Sequence, residues 1–166
     1  MAEVNLDGKD FKILRWLDRE GDIDVDEVSE ELGISTSTVY YRLDKYRKQG
    51  ILSGTVSKLD ARELGLELTA ITEIRSDYGP GYEGIGDDLC EISGVQTVYF
   101  MLGDKSFTVV AHLRDHDHLQ EYIDDIIHTE GVEHSSTQVV LQTFKDESRL
   151  LVNYDDDDLQ QLIDSE

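Results

Sequence analysis

The chain has 166 residues, 39% of them hydrophobic, enough to build cores for two compact domains and too much for a disordered chain. It carries 37 acidic against 15 basic residues, a formal charge of −22, which by itself argues against nucleic acid as a partner. One cysteine excludes an internal disulfide. Neither a membrane-spanning run nor a signal-peptide pattern is expected, and a cytoplasmic location follows.

In chain order, Leu6, Phe11, Ile13, Leu14 and Leu17 fall on one helical stripe that Gly21 ends. Asp24 reads as the cap of a second helix. Its first turn holds Asp26 and Glu27, where the helix dipole favours acids, and its buried face is Val25, Val28 and Leu32. Gly33 supplies a turn and Ser35 caps a third helix, with Val39, Leu43 and Tyr46 on its buried side and Gly50 closing it. Ile51 to Leu59 alternates like a short hairpin or wing.

Two short helices joined through Glu31-Leu32-Gly33-Ile34-Ser35 have the form of a helix-turn-helix. Residues 36–49 hold four basic side chains (Arg42, Lys45, Arg47, Lys48) and one acid, Asp44, reversing the sign of the chain as a whole. The candidate DNA contacts are Ser35, Thr36, Ser37, Thr38, Tyr40, Tyr41, Arg42, Lys45 and Lys48. Hydroxyls and backbone amides at the helix start suit phosphate, and the rest form an outward face suited to base edges.

The second region opens with an alternating strand over 66–74, with Leu68, Ala70, Thr72 and Ile74 facing one way. A loop from Ser76 to Gly81 contains Pro80, and a helix spans 84–92. Cys90 on that helix reads as a buried, inert thiol. Strands Val95–Leu102 and Phe107–Leu113 flank a hairpin turn at Gly103-Asp104-Lys105-Ser106. A helix over 116–129 and a last strand over Ser135–Phe144 complete a β-α-β-β-α-β order, a ferredoxin-like split βαβ unit. His112, His116 and His118 with Asp115 and Asp117 straddle a strand end and a helix start. No metal site is expected, Asp115 reads as a helix cap, and no cofactor motif appears. Asp155 to Asp158, followed by Leu159, Leu162 and Ile163, reads as a short acid-started helix.

The ordered set Leu6-Asp7-x-x-Asp10-x-x-Ile13-Leu14, Glu31-Leu32-Gly33-Ile34-Ser35-x-Ser37-x-Val39-x-x-Arg42-Leu43 and Gly50-Ile51-Leu52-Ser53-Gly54 resembles the opening of the Lrp/AsnC, or feast-famine, regulators. Gly94-Val95, Val98-Tyr99-Phe100 and Gly103-Asp104, then Gly131-Val132, Ser136-Thr137, Leu141 and Lys145, are similar to the second half of that family. The resemblance implies an α+β protein with a winged helix-turn-helix over 1–60, a ferredoxin-like sensing and assembly domain over 61–147, and an acidic extension over 148–166. It implies a transcription regulator, not an enzyme, that binds double-stranded DNA as a homodimer or higher homo-oligomer. An amino acid or small metabolite is the implied effector, bound near Gly103, Asp104, Ser106, Ser136 and Thr137. The family commonly carries a second acid where this chain has Ser106.

Two alternatives belong to other classes. One is a siroheme-decarboxylase-like enzyme of similar fold; the other is a sensing and assembly module without DNA binding. The acid load lies mostly in 61–166, with six basic and twenty-four acidic residues, against nine and thirteen in 1–60. Such a surface resembles proteins of extreme halophiles and suggests a haloarchaeal type, with an acidic partner-binding surface as the rival reading.

Overall fold

The computed structural model describes residues 6–76 and 81–164. The described residues divide into two compact units, 6–58 with 145–164, and 59–144. The C-terminal segment therefore belongs to the helix-turn-helix unit instead of forming a separate extension, and the second unit ends at Phe144 instead of residue 147.

In the first unit, α1 (Gly8–Glu20) starts at a reciprocal cap. Asp7 accepts from the amides of Lys9 and Asp10, and Asp10 accepts from the amide of Asp7 at 2.8 Å. Asp24 caps α2 (Val25–Leu32), and Gly33 ends it with φ 60°, a left-handed turn that costs glycine little. Ser35 caps α3 (Thr36–Lys48), whose last residue is followed by Gln49 as its cap. Ile13, Leu14, Val28, Val39, Leu43 and Tyr46 form the core between these helices. The expected hairpin over Ile51–Leu59 does not form, and residues 52–60 carry no strand pairing. Alternation alone does not bury a strand: Val56 is 90% and Leu59 70% exposed, with no facing strand to pair.

In the second unit, β1 (Leu68–Ser76), α4 (Tyr82–Glu91), β2 (Val95–Phe100), β3 (Phe107–Leu113), α5 (His116–His128) and β4 (Val132–Val139) follow in order. The sheet runs β2-β3-β1-β4 with every neighbouring pair antiparallel. Ala70, Ile74, Phe107, Val109, Ala111 and Leu113 of the sheet close a core with Ile85 and Leu89 of α4 and Tyr122 and Ile126 of α5. Asp115 caps α5 by accepting from the His118 amide at 2.8 Å. Gly94 has φ 86°, and a Cβ there would lie 2.8 Å from the His112 carbonyl, so only glycine fits without displacing backbone.

Two sequence expectations change here, and a third is not tested. The last strand starts at Val132, earlier than Ser135, and stops at Val139. Its final rung is the Val140 amide donating to Thr69; β1 begins at Leu68, so residues 141–144 have nothing further to pair with. Leu141 and Phe144 are 96% and 90% exposed in consequence. Cys90 is exposed, because Ile85 and Leu89, four apart, take the buried side of α4. The loop proposed around Pro80 falls on residues 77–80, outside the described residues.

Candidate nucleic-acid interface and ligand site

Burying Val39, Leu43 and Tyr46 turns the opposite side of α3 to solvent. Tyr40 and Tyr41 are 62% and 70% exposed. At the helix start, the Ser35 hydroxyl lies 2.8 Å from both the Ser37 and the Thr38 hydroxyls and accepts from the Thr38 amide. Thr36 is half-buried beside them. This hydroxyl cluster sits at the positive end of the helix dipole, an arrangement suited to an anion. Lys45 is half-buried, and Lys48 is exposed and pairs with Asp44 at 2.6 Å.

Arg42 does not share that outward face. Its guanidinium grips Asp7 as a two-pronged fork, 2.8 Å on each prong, and also donates to Asp10. The Tyr46 hydroxyl donates to the same Asp10 oxygen at 2.5 Å. The Arg42 side chain is 18% exposed and that of Asp10 only 4%. A buried carboxylate needs charged or hydrogen-bonding partners, and Arg42 and Tyr46 supply them from one helix side, four residues apart. The Arg42 fork holds the Asp7 carboxyl well below the usual carboxylate range. Burial first, and the bond to Asp10 second, push the Tyr46 phenol far up. Arg42 is thus a brace between α3 and the start of α1, and a hollow of about 230 Å³ beside it is lined by Asp7, Asp10, Thr38, Tyr41, Arg42 and Lys45.

The sequence reading missed Asp7, Asp10 and Tyr46 as members of this network. Two acids three residues apart at a helix start were a detectable signal. One caps, and the other has a second oxygen to spend.

In the second unit the predicted ligand residues separate. Asp104 is exposed in the β2–β3 turn, and Gly103 has φ 143°, a backbone shape that favours glycine. Ser106 is fully buried. Its hydroxyl accepts from the Ser76 amide and donates to the Ser76 carbonyl, both at 3.1 Å, stitching the turn to the end of β1. Thr137 pairs in register with Thr72, and their hydroxyls meet at 3.0 Å; Tyr122 donates to Thr72 at 2.8 Å. Thr137 therefore points at α5. Its neighbour Ser136 pairs with Glu73 and points to the other face of the sheet. Ser136 and Thr137 do not line one site within a single chain. His112 contacts Thr69 and Gln96, and His118 accepts from the Arg114 amide. A hollow of about 650 Å³ in this unit is bordered by Asp88, Glu91, Asp125, His128 and Glu130, none of them a predicted ligand residue.

A three-helix unit with a polar, hydroxyl-led third helix, followed by a split βαβ sheet domain, defines a two-part class: DNA-binding regulators with an attached ligand domain. The comparisons agree. Residues 6–53 match the family described as winged helix-turn-helix DNA-binding, and residues 69–150 that described as the Lrp/AsnC ligand binding domain. The helix-turn-helix-type transcriptional regulator Ptr1 of Methanocaldococcus jannaschii is 30% identical over 146 residues, 87% of this chain and 98% of its own length. A regulator of Pyrococcus abyssi, also described as helix-turn-helix-type, is 29% identical over 145 residues, covering 87% and 98%. Among solved structures, Escherichia coli AsnC superposes with TM-score 0.79 at 23% identity, covering 85% of this chain and 95% of that one. A Neisseria meningitidis regulator in complex with L-Met gives TM-score 0.80 at 23% identity, covering 89% and 97%.

The chain belongs to the Lrp/AsnC family of transcriptional regulators.

Proposed function

We propose that this regulator reads double-stranded DNA with α3 in the major groove, as a homodimer or higher homo-oligomer. Ser35, Thr36, Ser37 and Thr38 take phosphate, and Tyr40, Tyr41, Lys45 and Lys48 reach base edges. The observation that carries this reading is the outward pair Tyr40 and Tyr41 beside the hydroxyl cluster, on a helix whose other side is buried. Arg42 acts behind that face, holding it in place.

Self-association is supported by the sheet. Its helices cover one face, while the other presents Ile71, Tyr99 and Ser136, with Tyr99 57% exposed. A partner sheet is a natural cover for such a face. An amino acid or other small metabolite is the proposed effector, in keeping with the L-Met bound by the Neisseria neighbour. Asp104 would meet its ammonium, Gly103 amides its carboxylate, and Ser136 a second polar contact. Ser106 and Thr137 act as supports beneath them.

The charge of −22 supports a haloarchaeal setting, a salt-rich cytoplasm in which phosphate attraction is weak and apolar and hydrogen-bonding contacts carry more of the affinity. No helix among the described residues is long and apolar enough to cross a membrane. A decarboxylase-like reading has less support. Arg75 pairs with Glu133, Lys105 with Glu73 and Arg149 with Glu147, leaving them dispersed instead of gathered around a polycarboxylate.

Selection of genomic fragments by the purified protein in molar KCl, followed by footprinting, tests the proposal. Enrichment of a common pseudo-palindrome supports it. Retention of no fragment at any salt concentration favours the assembly module without DNA binding.

A further inference from the structure

The C-terminal segment makes a set of contacts that neither matched family description covers beyond residue 150. After β4 the chain crosses back into the helix-turn-helix unit. A short 3-10 turn at Leu151–Asn153 has no side-chain cap of its own. Asp18 of α1 supplies one from 132 to 134 residues away, its carboxylate accepting from the amides of Leu150, Leu151 and Val152 at 3.1, 2.6 and 3.3 Å. Three free amides at a turn start are a strong match for one carboxylate.

Around this cap, Leu151 packs on the core of α1–α3, and Leu159 of α6 (Asp156–Asp164) is buried. Arg149 donates to the Arg19 carbonyl, Lys58 to the Asp146 carbonyl, and Arg15 pairs with Asp156. The arm is thus held by the buried Leu159, the half-buried Leu151 and hydrogen bonds between charged side chains and backbone groups, with one exposed ion pair beside them.

We propose that residues 145–164 form a second tether, and that Asp18 is the positioning residue that locks it. The chain passes between the helix-turn-helix unit and the sheet unit twice, after Lys58 and after Phe144. A single flexible linker leaves a DNA-binding unit free to turn; a second, docked one narrows its orientations before DNA arrives. The benefit falls on simultaneous engagement of two half-sites, where effective concentration depends on linker freedom. This inference rests on the DNA-binding reading above.

The test uses full-length protein, wild type and Asp18→Ala, on a selected duplex with both half-sites and on one cut to a single half-site. The variant binds the two-half-site duplex about tenfold more weakly and the half-site within about twofold of wild type. Asp18→Asn, which keeps a carbonyl acceptor, recovers most of the loss. Hydrogen exchange of the Leu150, Leu151 and Val152 amides is slow in wild type and fast in Asp18→Ala. Equal loss on both duplexes means general damage to the unit and overturns the tether, as does no loss on either. Wild-type amides that exchange as fast as the variant's overturn it too. If wild type binds no duplex, the DNA-binding reading fails by itself, and the exchange data still decide whether the arm is docked.

Discussion

Replacing Arg42 with alanine separates a brace from a DNA contact. Asp10 would keep the Tyr46 hydroxyl and the Asp7 amide as donors but lose its only counter-ion among its described partners, with its side chain 4% exposed. Breaking a buried pair by removing one partner costs about 3–5 kcal/mol, and the two remaining donors place this case near 3 kcal/mol. Asp7 is 53% exposed, so its share adds at most about 1 kcal/mol. For a unit of this size, 3 kcal/mol lowers Tm by roughly 12–24 °C. Trp16, the sole tryptophan, is packed against the core of this unit, so its emission follows that unit alone. A fall of this size in the Trp16 transition, with DNA affinity near wild type well below the new midpoint, is the expected result. An unshifted transition together with lost DNA binding would refute the brace and return Arg42 to the groove.

Further outcomes follow from the same network and from the sheet. Asp7 has a depressed carboxyl, so its contribution is complete above its ordinary value of 3.8 and is lost as pH falls toward its folded value. The urea midpoint read by Trp16 therefore drops below about pH 4, and Arg42→Ala flattens that limb; matching acid profiles for the two proteins would contradict it. Tyr46 has a raised phenol, so its contribution holds below the ordinary tyrosine value of 10.0 and is lost above it, giving an alkaline limb that Tyr46→Phe removes. Ser106→Ala leaves the Ser76 amide and carbonyl without their buried partner and destabilises the sheet unit by about 1–3 kcal/mol in chemical unfolding. A direct ligand role instead predicts an unchanged midpoint with weaker effector binding.

Much of this fold was legible from local chemistry. Asp24, Ser35 and Asp115 announce helix starts because a cap needs a short oxygen-bearing side chain next to free amides. Alternation over Ala70, Thr72 and Ile74 marked the buried side of β1. What stayed hidden depends on residues far apart in sequence. Arg42 looked like a groove contact because basic side chains cluster near it, while its partners lie 32 and 35 residues earlier. The end of β4 is set by where β1 begins, and that start is not written in β4. The family resemblance implied Ser106 and Thr137 as ligand contacts, yet each hydroxyl is spent on a partner across the sheet. The acidic tail gave no sign that Asp18 would cap its first turn.

The central claim is that the solvent side of α3, with Arg42 bracing it from behind, meets the duplex. Fluorescence anisotropy of a selected operator, titrated in molar KCl by wild type and by the double variant Tyr41→Ala/Lys45→Ala, tests it most directly. The account predicts at least a tenfold loss of affinity in the double variant, on the order of two base or phosphate contacts, with an unchanged Trp16 unfolding transition. Affinity equal to wild type, with the fold intact, would contradict it.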